Sequence, residues 1–282
     1  MSEIPGAIPL MQASEVWCSL ITVTYNSSAT LIEFWGSAGR PPAGVEWIVV
    51  DNASSDGSAD VARSLGATVV IEQSSNVGFS ASNNAGLAAS RGRFVGFVNP
   101  DVLVDYDDLL TLSMIAADEQ AIVSPQLLNA DRTLQPNGRG YPLLFDKIRN
   151  RLGKAEKLTG RYLLFGETAP TNVCWLMGAS IFGERDVIES FGAWDDHFFL
   201  YYEDKDFCLR AWKKGVPVMV IPKIQWTHGW ARETTTANAT PWKRELASLS
   251  KFYVRYPEFL FNRAIAARAH KVIDSAVFGV TV

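Results

Sequence analysis

The chain has 282 residues, 48% of them apolar and 20% charged, and a formal net charge of −4. Such a composition supplies ample material for a core in one large α/β domain or two smaller ones, and it excludes bulk electrostatic attraction to nucleic acid. Charge is unevenly spread: residues 139–161 and 241–271 each carry seven Lys/Arg against two acids, which leaves −14 on the rest. Two basic segments on an acidic body suit contact with phosphates or with an anionic membrane surface. The cysteines Cys18, Cys174 and Cys208 are widely spaced in apolar settings. They read as buried thiols, with neither disulfide nor metal-ligand spacing. Residues 1–17 lack a basic start followed by an apolar stretch, and no window approaches the ~20 apolar residues of a membrane span. The expected location is cytoplasmic, with peripheral attachment at the inner face of the cell membrane as the extension of that reading.

In chain order, CSLITVTYN (18–26) is a β-rich run ending in polar residues. VEWIVVDNASSDGS (45–58) is a second strand that stops at Asp51, followed by a loop dense in Asn, Ser, Asp and Gly. SADVARSL (58–65) has helical spacing, and ATVVIEQ (67–73) is a third strand. NVGFSASNNAGLAAS (76–90) is a glycine-containing loop feeding a helix of small residues, and RFVGFVNPD (93–101) is the fourth strand. A helix over 106–118 and a short strand over 121–125 follow. This alternation predicts an α/β layer fold with a mostly parallel sheet. Ligands of such sheets sit outside the carboxyl ends of the strands. Thr24-Tyr25-Asn26, Asp51-Asn52 and Asn99-Pro100-Asp101 all stand there.

The second half is less regular. LLNADRTLQPNGRGYP (127–142) reads as a hairpin or extended excursion, 173–183 as a strand or buried run, and 184–192 as a short helix ending in glycine. EDKDFCLRAWKKG (203–215) is an amphipathic helix, acidic at its start and basic at its end, as the helix dipole favours. VPVMVIP (216–222) is a strand, and 241–257 and 259–273 read as helices.

VTYNSS, VVDNASSDGS, NVGFSASNNAG, FVNPDV and YYEDKDFCLR occur in this order over residues 18–230. Together they resemble the family 2 glycosyltransferases of the GT-A fold, in particular the rhamnosyltransferase-like branch. The resemblance implies an N-terminal extension (1–17), a nucleotide-sugar-binding α/β half (18–126) and an acceptor-binding and catalytic half of the same domain (127–230). A C-terminal helical extension (231–282) completes the chain.

It also implies roles. Alone, Asn99-Pro100-Asp101 is a strand-ending Asx-Pro turn. Within the series, Asp101 takes the place of the family's metal-binding aspartate, and the cofactor is Mg²⁺ or Mn²⁺, hard cations that accept carboxylate oxygens and keep positions open for phosphate. Asn99 stands where an Asp-x-Asp motif has its first acid, so the site has one carboxylate fewer, and Asn99 is assigned to ribose or phosphate. His228, in WTHGW, falls where the family places a histidine on the metal or the diphosphate. Asp51 would accept the imide N–H of uracil or thymine, with Thr24 and Asn26 flanking the base and ribose. Asp56 is assigned to helix capping. Asn76, Gly78 and Asn83 are further nucleotide contacts, with Asn84 structural. Asp204 would be the general base of an inverting transfer, Glu203 an orienting or acceptor-binding group, Trp226 and Trp230 an apolar wall for sugar, and Asp206 an ordinary acid of the first helical turn. The implied donor is a dTDP- or UDP-sugar, with dTDP-L-rhamnose first. The acceptor is a glycan, free or carried on a polyprenyl diphosphate.

Three other readings stand beside this one. A UDP-hexose or UDP-N-acetylhexosamine donor fits the same fold. A sugar-nucleotidyltransferase wants a glycine-rich basic loop after its first strand, and VTYNSSAT has no Gly, Lys or Arg. A non-catalytic nucleotide- or glycan-binding module is suggested by Asn99 and opposed by the joint presence of Asp101, Asp204 and His228.

Overall fold

The structure, a computed structural model, describes residues 15–151, 162–164, 168–229 and 239–279. Its first half alternates as expected: β1 (Cys18–Thr24), α1 (Ser28–Ala38), β2 (Val45–Asp51), α2 (Ser58–Leu65), β3 (Val69–Glu72), α3 (Phe79–Ala89), β4 (Phe94–Val98), β5 (Val102–Leu103), α4 (Leu109–Asp118) and β6 (Ile122–Leu128). The second half has β7 (Gly138–Arg139), α5 (Leu144–Arg151), β8 (Leu163–Leu164), β9 (Thr171–Asn172), β10 (Trp175–Leu176), β11 (Ser180–Glu184), α6 (Arg185–Ser190), α7 (Glu203–Lys213) and β12 (Val218–His228). The helices α8 (Ala239–Arg255), α9 (Arg263–Ala269) and α10 (Lys271–Phe278) follow.

The main sheet has the order β3-β2-β1-β4-β11-β6-β12-β5, with β9 on β12. β1, β2, β3, β4, β6 and β12 run one way, and β11, β5 and β9 oppose them. The mostly parallel α/β sheet is therefore present. The reversed β11 sits beside β4, so the chain turns over next to the strand that ends in Asn99-Pro100-Asp101. Side chains alternate between the two sheet faces. Ile21, Ile48, Val50 and Phe97 pack with α3, α6, α7 and α8, while Leu20, Trp47, Val49 and Phe94 pack with α1, α2 and α4. On the latter side Trp35 and Trp47 stack with centroids 4.1 Å apart.

Several local expectations are refined. The 173–183 run is two strands broken at Met177-Gly178, and β12 runs on through Thr227 and His228 with a register shift between Ile221 and Gln225. The single helix expected over 259–273 is two. The Asn262 side chain caps the start of α9, and His270 leaves helical geometry and meets Glu258 at 2.7 Å. All three cysteines are buried and unpaired. Trp226 is buried, with its indole N–H bonded to Asp108 at 3.0 Å. It belongs to the core, which corrects the expectation that it lines a sugar site. Among the described residues, no helix is long and apolar enough to cross a membrane.

Asp206 does more than favour a helix start. It is wholly buried and accepts hydrogen bonds from Arg210 Nε at 2.7 Å, an Arg255 guanidinium nitrogen at 2.7 Å and the Tyr256 hydroxyl at 2.9 Å. The same Arg255 nitrogen reaches Asp195 at 2.5 Å. One carboxylate thus clamps α8 and the 191–195 loop to α7. Removing a buried ion partner strands the opposite charges. Asp206→Ala should cost about 3 kcal/mol of unfolding free energy, read from urea midpoints, whereas partly exposed Asp195→Ala should cost about 1 kcal/mol or less. Equal losses would remove Asp206 as the clamp.

Candidate active site

The carboxyl ends of β1, β2 and β4 open into a cleft of about 740 Å³. The structure brings Asn26, Asn76, Gly78, Asn99, Asp101, Glu203, Asp204 and His228 together in its lining. Thr24, Asp51 and Asn83 are not among the lining residues. Thr24 and Asp51 lie beneath: the Thr24 hydroxyl donates to Asp51 Oδ1 at 2.8 Å, and the Ser54 N–H donates to Oδ2 at 2.9 Å. Asn83 is buried in α3 with its amide on the Phe79 carbonyl at 3.1 Å. Asn84 ties to the Trp194 carbonyl at 2.8 Å, in keeping with a structural role. Asp56 accepts from the backbone N–H of Ser58 and of Ser28, so it orders the starts of both α1 and α2. Trp230 lies outside the described residues.

The side of the cleft at the ends of β1 and β2 is shaped by backbone constraint. Asn26 has φ of 51° and is held by two bonds: its N–H donates to Ser54 Oγ, and its side-chain oxygen accepts from the Ser55 N–H. Gly78 has φ of +94°, and a Cβ there would lie 2.7 Å from the Phe199 carbonyl oxygen. Only glycine suits that position. The next residue, Phe79, donates its N–H to the same oxygen at 2.7 Å.

On one wall β5 pairs with β12, setting Val102 opposite His228. This register brings His228 Nε2 to 3.3 Å from Asp101 Oδ2, with Gly229 N–H on the Asp101 carbonyl at 2.8 Å. The ring is buried and its Nδ1 lies 2.6 Å from Gln135 Oε1. An amide oxygen only accepts, so Nδ1 carries a hydrogen and Nε2 of the neutral ring offers its lone pair. A carboxylate oxygen and an imidazole lone pair side by side are a donor set that suits a divalent cation. Among the described residues no group of three His, Cys, Asp or Glu side chains could hold a metal. These two alone could supply at most part of a cation's coordination shell.

The opposite wall is the start of α7. Tyr201 and Tyr202 both have left-handed backbone, φ of 69° and 73°. Two such residues in succession store strain of roughly 1–3 kcal/mol each, the kind of cost that collects at working sites. They deliver Glu203 and Asp204 into the cleft. Asp204 Oδ1 takes the Lys205 backbone N–H at 2.8 Å and the Lys205 ammonium at 3.1 Å. That ammonium rests 3.9 Å from the Trp175 ring centroid. Among the described residues Asp204 Oδ2 takes no hydrogen bond and is the oxygen left to act. Glu203 is buried with Oε2 unpartnered. Burial, reinforced by the neighbouring Asp204 charge, pushes its carboxyl up to about 8.

Asn52, placed at the strand ends by the sequence, is in the lining, whereas sequence reasoning missed Glu33, Met177, Phe199 and Arg244 there. Arg244 sits 4.7 Å over the Phe199 ring. Its signal was the basic 241–271 segment, without any cue to where a helix would aim it. A second cleft, of about 440 Å³, lies by Asp105, Asp107 and Arg132 and contains none of the expected site residues.

Residues 19–184 match the family model described as glycosyl transferase family 2. The chain is 27% identical over 210 residues to the low-salt glycan biosynthesis hexosyltransferase Agl10 of Haloferax volcanii, covering 71% of this chain and 63% of that protein. It is 25% identical over 162 residues to rhamnosyltransferase WbbL of Escherichia coli, covering 54% and 60%. It thus spans about three-fifths of the length of these curated relatives. The crystal structure of GalNAc-T7 with UDP, GalNAc and Mn²⁺ superposes with a TM-score of 0.61 at 15% identity, over 94% of this chain and 55% of that one. That likeness establishes the GT-A type fold.

The raised carboxyl of Glu203 has a consequence for stability. Between the ordinary glutamate value and about 8, the folded protein holds a proton that the unfolded chain releases. Stability therefore falls as pH rises through that window. Glu203→Gln should remove this slope, so melting temperatures of wild type and variant should separate, with the wild type losing ground, from about pH 5 to about pH 8. Parallel curves would return Glu203 to an ordinary carboxylate.

Proposed function

The chain belongs to glycosyl transferase family 2, and from that premise we propose that it is an inverting, metal-dependent hexosyltransferase using a nucleoside-diphosphate sugar. The observation that carries this reading is the pairing of two unlike walls across one cleft: Asp101 with His228 on one side, Glu203 with Asp204 on the other. The cleft is lined by the carboxyl groups of Glu33, Asp101 and Asp204 beside the neutral Glu203, with Arg244 the one Lys or Arg in the lining among the described residues. A diphosphate entering such a field is repelled unless cationic charge comes with it. Mg²⁺ or Mn²⁺ held by Asp101 and His228 would supply that charge and offset what develops on the departing diphosphate.

The chain's own groups do the rest. Asp204, steadied through Oδ1 by Lys205, accepts the acceptor hydroxyl proton on Oδ2. The hydroxyl oxygen attacks the anomeric carbon from the face opposite the diphosphate, and the nucleoside diphosphate leaves with the bonding electron pair. Glu203, protonated near neutrality, donates a hydrogen bond to an acceptor oxygen. Asn26, Asn76 and Asn99 line the nucleotide side, and the backbone at Gly78 lets ligand approach closely. Thr24, Asp51 and Asn83 act from beneath it. Asp51 holds the Thr24 hydroxyl and the Ser54 N–H there and so shapes the floor on which the base rests.

The donor is a dTDP- or UDP-sugar, with dTDP-L-rhamnose first to test; similarity to a hexosyltransferase and a rhamnosyltransferase supports that order. The acceptor is a glycan hydroxyl, free or on a polyprenyl diphosphate. Exposed Phe145 and Ile148 on α5, beside Arg149, support docking at an anionic membrane.

A thermal-shift panel of nucleotide sugars with and without Mn²⁺ identifies the donor, because a ligand of the folded state raises its melting temperature. With that donor, Asp204→Asn should lose about 100-fold or more in transfer while nucleotide binding survives; near-normal turnover would end its role as base. Asp101→Ala should abolish the Mn²⁺-dependent part of nucleotide affinity in calorimetry, and identical titrations with and without Mn²⁺ in the wild type would end the metal reading.

A further inference from the structure

His228 does not stand alone behind Asp101. A line of hydrogen bonds runs from its Nδ1 to the surface through Gln135, Asn129, Thr133 and Asp131. Gln135 Oε1 lies 2.6 Å from Nδ1. The Gln135 amide N–H donates to Asn129 Oδ1 at 3.0 Å, and the Asn129 amide N–H donates to Thr133 Oγ1 at 2.9 Å. The Thr133 hydroxyl donates to Asp131 Oδ1 at 2.5 Å, and the Thr133 backbone N–H adds a bond to the same oxygen at 3.0 Å.

The direction of every link follows from the last. An ionised carboxylate only accepts. The two Thr133 hydrogen bonds hold the Asp131 carboxyl below its ordinary value. The Thr133 hydroxyl must therefore give its hydrogen to Asp131 and turn a lone pair to Asn129. Asn129 must then present its amide hydrogens to Thr133 and its oxygen to Gln135. Gln135 must in turn present its oxygen to His228. The place of Gln135 is fixed as well: it is fully buried, its backbone N–H is on the Leu127 carbonyl at 2.8 Å, and its backbone carbonyl takes the Gln126 amide at 2.7 Å.

We propose that Asp131, Thr133, Asn129 and Gln135 are a polarity relay that keeps His228 in its Nδ1–H tautomer and so holds the Nε2 lone pair against Asp101. The opposite tautomer would donate Nε2–H to Asp101 and spend both groups on each other. The relay thus keeps a carboxylate oxygen and a ring nitrogen 3.3 Å apart open to a cation. Its link to cation binding rests on the metal reading above; its link to the tautomer does not. All four are positioning residues. The 127–142 excursion, which otherwise reads as a surface hairpin, is the arm that carries them, and Ala130 in the same turn lines the cleft.

The chain has only three histidines, His197, His228 and His270, so ring-nitrogen spectra are simple to assign. Nitrogen-15 NMR on the full metal-free chain at about pH 8.5, above the ordinary imidazole value, reads the protons on each ring nitrogen directly. His228 should show a protonated Nδ1 and a bare Nε2. Gln135→Met and Thr133→Val should move it toward Nε2–H, while Gln135→Glu, which still accepts, should keep the wild-type form. Thr133 is a surface variant, which covers a folding failure at Gln135. Mn²⁺ binding in the presence of UDP, followed by the electron paramagnetic resonance of free Mn²⁺, should weaken about 10-fold in Gln135→Met and Thr133→Val. An Nε2–H ring in the wild type, or one tautomer in all four proteins, overturns the relay. Shifted tautomers with unchanged Mn²⁺ affinity overturn its positioning role. The expected tautomers in a wild type that binds no Mn²⁺ support the relay and overturn the metal reading alone.

Discussion

The buried carboxylate of Asp206 is the constraint on which the cleft depends. The α7 start must enter the cleft through two consecutive tyrosines with left-handed backbone, a conformation that an isolated chain would leave. It persists because α7 is gripped one turn further on. Asp206 draws Arg210 from its own helix, Arg255 from the end of α8 and Tyr256 from just beyond it, and Arg210 in turn donates to the Phe191 and Ala193 carbonyls. Helix, loop and C-terminal extension meet at one charge. Strain at Tyr201 and Tyr202 is thereby separated from the groups that hold it, and Glu203 and Asp204 are left free of structural duty.

This arrangement explains why the two carboxyl groups at adjacent positions behave differently. Asp204 has a cation at 3.1 Å and an oxygen to spare. Glu203 is enclosed with one oxygen unpartnered, and its neighbour's charge adds to the cost of ionising it. Burial and a neighbouring charge thus raise the Glu203 carboxyl without any change of residue type along the helix.

The polar ends of the first strands were legible because parallel strands set their carboxyl ends on one edge. Residues on a single strand or its first loop, such as Asn26, Asn99 and Asp101, were found for that reason. Asp51 illustrates the limit: its position on the edge was readable, but its burial beneath Thr24 depends on packing. Trp226 was misread for a related reason. A tryptophan before His228 looks available, yet the register shift between Ile221 and Gln225 breaks the period-two alternation of β12 and turns it to the opposite face from Val220, into the α4 side of the core. Gln135 and Arg244 carried no local signal. Each reaches the site through a long-range register, the hairpin fold-back in one case and the α8 docking in the other.

Much of the second basic segment is also spent inside the molecule. Arg255 serves Asp206 and Asp195, Lys251 donates to the His197 carbonyl, Arg263 lies over Phe278, and Arg244 lines the cleft. Net charge along a sequence counts such residues as free surface charge; the fold engages them in contacts of its own.

The contact at Gly78 carries a last consequence. One carbonyl, that of Phe199, sits against the glycine and receives the N–H that begins α3. The loop leading to Asp204 is therefore seated directly on the loop that borders the nucleotide side, with no side chain between them. The spacing of the two walls is set by a backbone seam and not by a hinge. For anyone grafting new acceptor loops onto this scaffold, residues 78–79 and 199 are a single joint. Segments on either side can be exchanged, but a graft that cuts through the seam changes both walls of the cleft at once.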